Sequence, residues 1–264
     1  MICEISIERL KEILMSLQAR QKNDTLISRL CSNAFSFLPH KLCTVYEVSD
    51  MGKAIGLMCL YGGSLTAFFI KKPNFSELAN FLRFQAGAAK HLECDSKIAA
   101  RLLKSLSARA VYGNVFVLKK QPKRFSEGYT VNESADVRSF FSALKSASAD
   151  FADADFETYY CDVFYRKDVP ARLFTVRHFG KIIATAAVLH IYGKNAVISD
   201  VTVHPDFRRR KIGSQLVSEV CEKLMQDGYI PSLLCTSPAA AALYKKIGFK
   251  KSRRFGLILL KDDV

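Results

Sequence analysis

Apolar positions along the chain switch between a helical period and a strand period several times. Ile5, Ile7, Leu10, Ile13, Leu14 and Leu17 recur at three- and four-residue intervals, with Ser16, Arg20 and Lys22 on a polar side. Residues 4–38 therefore read as helical, with a second helix over 24–37 that stops before Pro39. Three β-type runs follow, 42–48, 54–61 and 65–70, parted by Asp50-Met51-Gly52-Lys53 and by Gly62-Gly63. That pattern predicts a three-stranded meander. Amphipathic helices over 76–84 and 95–106 and a strand over 111–118 come next. The basic, proline-broken stretch Lys119-Lys120-Gln121-Pro122-Lys123-Arg124 then marks a boundary between an N-terminal α/β domain, 1–124, and a second domain, 125–264.

The second half begins with a strand at 129–131 and a helix over 133–146 that places Val137, Phe140, Phe141 and Leu144 on one face. An aromatic-rich helix, 152–165, follows. A second meander runs through 173–178, 182–192 and 196–203, with turns at Gly180-Lys181 and Gly193-Lys194. Gly52 to Ile70 and Gly180 to Ile198 each span 18 positions, and Val48 and Val176 each precede their glycine by four. The first half is thus either a diverged copy of the second or an unrelated ordinary meander. After Ile70 the chain reads Lys71-Lys72-Pro73-Asn74-Phe75-Ser76, so a copy would lack any glycine loop entering a helix. Residues 257–260 supply a closing strand.

Chemistry concentrates in 196–215, AVISDVTVHPDFRRRKIGSQ. An apolar, β-branched strand is broken at His204-Pro205-Asp206, since proline has no N–H for a ladder. Four cations, Arg208 to Lys211, lead into Ile212-Gly213-Ser214, after which Ile212, Leu216, Val217, Val220 and Leu224 are helically spaced. Backbone N–H groups and the positive end of a helix dipole at such a basic turn make an anion site. A solvated basic turn is the plain alternative. Downstream, 233–235 reads as a short strand; Ser237 is an N-cap with Pro238 at the first helical position, and Gly248 a left-handed C-cap.

Arg208-Arg209-Arg210-Lys211-Ile212-Gly213 resembles motif A of the Gcn5-related N-acetyltransferase (GNAT) superfamily, with Lys211 standing where the family usually has its first glycine. Leu243-Tyr244-Lys245-Lys246-Ile247-Gly248-Phe249 resembles motif B. The two lie in the family's order and separation, and the whole chain resembles a bacterial two-domain GNAT-like protein. The resemblance implies an α+β acyl-CoA N-acyltransferase fold at 129–264, with a mixed, mainly antiparallel, seven-strand-type sheet splayed at motif A. A smaller N-terminal α/β domain, degenerate copy or not, precedes it. It also implies acetyl-CoA as co-substrate, with pyrophosphate on Arg208, Arg209, Arg210, Lys211, Ile212, Gly213 and Ser214. Ser237 would line the same site, and pantetheine would pair with the strand edge at Val201, Thr202 and Val203, a backbone N–H of which holds the thioester carbonyl. Tyr244 is the implied acid for the departing thiolate; packing on the preceding strand is its other reading.

Acetyl transfer also needs a group to take the amine's proton. Asp200 stands in an apolar strand, where an unpaired carboxylate is costly. Ile198-Ser199-Asp200-Val201 resembles the strand of members with an acid there, although many members carry Glu at the position of Val197. A structural hydrogen bond to the neighbouring helix is the other reading of Asp200. In the family the first two helices frame the acceptor, so Asp153, Asp155, Glu157, Tyr159, Tyr160 and Asp162 fit a cationic amine, whereas packing against the sheet is the favoured reading of Phe156 and Tyr160. The implied activity is direct transfer of acetyl to a primary amine of a small molecule or peptide. The alternatives are a non-catalytic acyl-CoA-binding or scaffold protein, and an acetylase of proteins or ribosomes that uses a basic surface.

Composition narrows this little further. The chain has 264 residues, 49% hydrophobic, and no run of the roughly 18 apolar residues a membrane helix needs. Its N-terminus, acidic early and alternating in charge, reads as no signal peptide. Eight scattered cysteines without a CxxC pair, and five isolated histidines, point to no metal site and to a reduced, cytoplasmic setting. The net charge of +14 suits an anionic ligand such as the CoA phosphates. No nucleic-acid-binding module accompanies it. A homodimer is compatible with all of this.

Overall fold

In a computed structural model, residues 1–17, 24–166 and 170–260 are described; Arg20 and Lys22 of the expected polar face lie outside them. The chain divides into two units, Met1–Val115 with Ser252–Val264, and Phe116–Lys251. Among the described residues no helix is long and apolar enough to cross a membrane.

The first unit opens on a short strand, β1 (Ile2–Glu4), that precedes the expected helical stretch and meets it only at Glu4. Its backbone pairs antiparallel with Tyr46–Val48. Helices α1 (Ile7–Leu17) and α2 (Thr25–Phe37) follow, with Asp24 capping the N–H groups of Leu26 and Ile27 at the start of α2. The meander is β2 (Cys43–Asp50), β3 (Lys53–Tyr61) and β4 (Ser64–Phe69). Then come α3 (Phe75–Phe84), β5 (His91–Asp95), α4 (Ser96–Leu102) and β6 (Arg109–Val117). The sequence pattern misses β5: with both neighbours paired and its residues buried or half-buried, His91–Asp95 shows no alternation.

The second unit runs through β7 (Val131–Ser134), α5 (Val137–Ala147), α6 (Phe156–Phe164), β8 (Arg172–His178), β9 (Lys181–Tyr192) and β10 (Asn195–Val203). It continues with α7 (Ile212–Gln226), β11 (Ile230–Cys235) and α8 (Pro238–Ile247), after which β12 (Lys250–Leu259) returns the chain to the first unit. Strands β7 to β10 form antiparallel pairs in sequence order, and β11 joins β10 in parallel. Beyond β11, the Leu118 N–H donates to the Pro231 carbonyl at 2.9 Å. The expected aromatic-rich helix begins later than residue 152, because Ala149–Phe151 forms a 3-10 turn and Asp155 caps α6 through the Thr158 N–H.

The two meanders have the same build. Met51-Gly52 and Phe179-Gly180 both turn with two left-handed residues, at φ 47° and 74° and at φ 46° and 78°. A register shift in each first strand lies four residues before the turn glycine, at Val48/Ser49 and at Val176/Arg177. The equal spacing of 18, however, is not structural equivalence. Strand β9 is three residues longer than β3, 12 against 9, so Ile70 stands to Gly62 as Val201, not Ile198, stands to Gly193. After each third strand, a helix leads to a parallel strand that pairs over only three residues: Ser64–Thr66 with His91–Glu93, and Asn195–Val197 with Ile230–Ser232.

The closing strand departs from expectation. Phe255–Leu259 pairs antiparallel with His91–Asp95, so the segment after α8 completes the first unit's sheet rather than a seven-strand sheet of the second. Gly256 makes that possible: a Cβ there would fall inside contact distance of the Ala99 Cβ, so α4 can lie on β12 only above a bare backbone. Gly256→Ala should therefore cost about 1–3 kcal/mol in unfolding free energy. Gly87→Ala, where an added Cβ meets nothing within 4 Å, should cost nothing. Urea denaturation of the two variants checks the pair.

Candidate functional site

The site begins where β10 leaves β11. Pairing ends at Val197–Ser232, and over 198–203 only β9 holds β10. On that side the register moves from Ser199–Ala187 to Thr202–Thr185, so Asp200 and Val201 lie opposite the single Ala186. This is a β-bulge, with Asp200 in the left-handed region at φ 52°, a conformation that short polar side chains tolerate better than most. A bulge bends its strand and raises the local twist, which carries 201–203 away from β11.

Three side chains fix the bulge. The Thr185 hydroxyl donates to the Asp200 carbonyl at 3.0 Å and lies 2.7 Å from the Thr202 hydroxyl. One hydroxyl has one proton, so Thr202 must donate to Thr185. The Tyr159 hydroxyl, from α6, donates to the Asp200 carboxylate at 2.9 Å. Tyr159 is buried against Phe140 and Phe141 of α5. Burial, with the nearby Asp200 charge adding to it, pushes the Tyr159 phenol far above the ordinary tyrosine value, so the proton stays on the phenol. The hydrogen bond to the neighbouring helix anticipated for Asp200 is therefore present. Asp162, on the next turn of α6, pairs with the buried Arg166.

The basic turn is more differentiated than a solvated run. Arg208 donates to the Val203 carbonyl at 3.0 Å and the Ala147 carbonyl at 2.8 Å, stapling the loop to the end of α5. Arg210 stacks over Phe207, 5.2 Å from the ring centre. Lys211 pairs with Glu127 at 3.2 Å. Arg209 makes no side-chain hydrogen bond or ion pair among the described residues, which leaves it available to a ligand. Arg209 and Lys211 are left-handed, at φ 65° and 56°. Lys211 thus keeps the backbone shape for which the family's glycine is suited, with its side chain directed to Glu127.

Lys211 is also the N-cap of α7 and gives no side-chain cap. The first N–H groups of α7, from Ile212 and Gly213, have no partner inside the helix. A Cβ on Gly213 would meet Val203 at 3.3 Å and Leu243 at 3.4 Å, so the glycine lets α7 approach the end of β10 closely. Ser214 is buried in the first turn of α7.

On the other side of the opening, Ser237 caps α8 by accepting the Ala240 N–H at 3.4 Å. Tyr244, about two turns later, is buried among Phe116, Cys221, Cys235 and Phe249. Burial pushes its phenol well above the usual value, and the Cys235 and Cys221 thiols add to this. At neutral pH Tyr244 keeps its proton.

The structure thus places Asp200 to Val203, the 208–214 turn and Ser237 at the ends of one unit's splayed strands, and Tyr244 in the core beside Phe116 and Phe249. Sequence reasoning missed Thr185, Glu127 and the Ala147 carbonyl. Each is a long-range partner, and no local pattern announces it.

The Acetyltransferase (GNAT) family profile matches residues 137–249. An uncharacterized N-acetyltransferase of Pyropia yezoensis is 32% identical over 71 residues, 27% of this chain and 41% of that protein. A glucosamine 6-phosphate N-acetyltransferase of Trypanosoma brucei brucei is 27% identical over 99 residues, 35% of this chain and 67% of that protein. A tandem GNAT protein from the clavulanic acid biosynthesis pathway superposes with a TM-score of 0.65 at 11% identity, covering 100% of this chain and 99% of its own. A GCN5-related N-acetyltransferase-like protein from Streptococcus suis does so at 0.61 and 15%, covering 96% and 98%. These similarities at low identity carry the fold.

Removing the Tyr159 hydroxyl takes a buried donor from the Asp200 carboxylate. Tyr159→Phe is expected to lower unfolding free energy by about 1–3 kcal/mol, read as a shift of the urea midpoint. In a spectrophotometric titration of the ten tyrosines, Tyr159 and Tyr244 should ionise only as the protein unfolds. Because their folded values are raised, stability is complete below about pH 10, the unfolded tyrosine value, and falls as pH rises beyond it.

The second half of this chain carries a GNAT acetyltransferase domain.

Proposed function

We propose that this protein transfers an acetyl group from acetyl-CoA to a primary amine. The carrying observation is the combination of a strand edge freed by the β10 bulge with the uncapped N-terminus of α7 beside it. Uncapped N–H groups and the helix dipole suit a pyrophosphate, and Arg209 adds an unspent cation. The open edge at Val201, Thr202 and Val203 suits an extended pantetheine, with one N–H polarising the thioester carbonyl. Arg208 acts on this reading by holding the loop, and Lys211 by shaping it.

The amine nitrogen attacks the thioester carbon, the carbon–sulfur bond breaks, and the electron pair leaves on sulfur. Asp200, oriented by Tyr159, accepts the proton lost by nitrogen. Tyr244 hydrogen-bonds the departing sulfur and supplies its proton. A phenol raised by burial is a weaker acid than a thiol, so Tyr244 needs the developing thiolate beside it to act. At the start of α6, Glu157 and Tyr160 line a cavity of about 400 Å³ with Asp136 and Arg138, and Glu157, whose carboxylate caps no helix among the described residues, suits the ammonium of an acceptor. A binding-only protein is the second reading, and one observation favours it: Asp200 is already engaged by Tyr159 and Tyr244 is buried.

Calorimetric titration with acetyl-CoA tests the first step. Micromolar binding should be lost in Gly213→Glu, which fills the α7 approach with a carboxylate. Absence of binding to the unaltered protein would overturn the proposal. With an amine panel, Tyr244→Phe should lower turnover about 10²-fold at unchanged CoA affinity. Binding without turnover on any amine would select the second reading.

A further inference from the structure

The first unit repeats the splay but not the anion loop. Strands β4 and β5 part after Thr66–Glu93, and a cavity of about 420 Å³ lies in the opening, between the starts of α2, α3 and α4. Small-molecule sites typically measure roughly 300–1,000 Å³.

The cavity is cationic around an apolar floor. Lys71, Lys72, Lys97, Arg101 and Arg253 line it, whereas Asp95 is its one lining carboxylate. Asp95 is occupied in capping α4, through the Lys97 N–H at 2.8 Å. Arg253 is held by Asp24 at 2.6 Å. Lys71, Lys72 and Lys97 form no ion pair among the described residues. Arg101 lies over the Phe75 ring, 5.2 Å from its centre, so its guanidinium is held at the rim. Leu26, Phe68 and Ile98 form the floor. The exposed cations stand beside apolar surface, so an anion with an apolar body finds a partner for each of its parts.

Helix α3 cannot offer what α7 offers. The Asn74 side chain accepts the Ser76 and Glu77 N–H groups at 3.1 and 3.2 Å, which fills the helix N-terminus. Glu77 puts a carboxylate in the same first turn, paired with the Met1 ammonium at 2.9 Å. A pyrophosphate has no backbone cradle there, and side chains alone remain to hold an anionic head.

We propose that this cavity is a second ligand site, for an amphipathic anion: one carboxylate or phosphate head on the lysine and arginine rim, with a short aliphatic or aromatic body on the floor. It is separate from the acetyl-transfer site and does not rest on that reading.

The test is calorimetric titration of the full-length chain at low salt with octanoate, octyl phosphate and inorganic phosphate. It is run in the Gly213→Glu background, so that the α7 turn contributes nothing. One equivalent of octanoate or octyl phosphate should bind, and which head binds more tightly identifies the source. Inorganic phosphate should bind at least about tenfold more weakly. Lys71→Glu/Lys72→Glu, at two exposed positions, should weaken the alkyl anion about tenfold or more, and Arg101→Gln should weaken it independently. Lys250→Glu/Lys251→Glu, an equal charge change elsewhere, should leave it unchanged. Unaltered affinity in both rim variants, equal loss in the control, or displacement of octyl phosphate by acetyl-CoA would each overturn the proposal.

Discussion

The divergence of β10 from β11 is the constraint on which the second unit depends. Parallel strands that stay paired leave no edge, and a sheet without an edge offers an extended ligand nothing. Here the ladder is abandoned after three pairs and the bulge at Asp200 and Val201 turns the strand aside. A left-handed, non-glycine residue in a strand costs roughly 1–2 kcal/mol. Its persistence requires local support, which Thr185 supplies to the backbone and Tyr159 to the carboxylate. The support comes from β9 and from α6, so the sheet and the helix that flanks the opening are tied to the same residue.

The two units make a controlled comparison inside one chain. Both repeat the tight turns, the register shift before them, and the three-residue parallel pairing that ends in a splay. They part company at the helix that follows. In the first, Asn74 satisfies the helix N-terminus from within; in the second, Lys211 adopts the cap position without capping and leaves those N–H groups to an outside partner. The cap position is thus one of the differences between the two helix ends, alongside the longer β9 and the Glu77 carboxylate in the first turn of α3.

The sequence boundary at 124 and the structural division differ for a related reason. A break in composition reports where the chain is exposed, not where it pairs. Phe255–Leu259 finds its partner in β5, far back in the chain, and Gly256 under Ala99 fits it there. A strand's pairing partner is set by register and by what packs above it, and neither is written in the strand's own alternation.

By itself, the sequence determined the local and the periodic: the meanders, the caps at Ser237 and Gly248, the basic turn into α7, and the two motifs that resemble those of the acetyltransferase family. These depend on φ, on capping groups and on spacing, all of which act within a few residues. Tertiary structure alone decided the rest. It gave Arg208 to backbone carbonyls, Lys211 to Glu127 and Asp200 to Tyr159, and it left Arg209 unspent. It also recruited β5 and the last strand into a sheet whose pattern neither betrays. Those outcomes turn on which distant groups come within hydrogen-bonding reach, and only the packed chain brings them there.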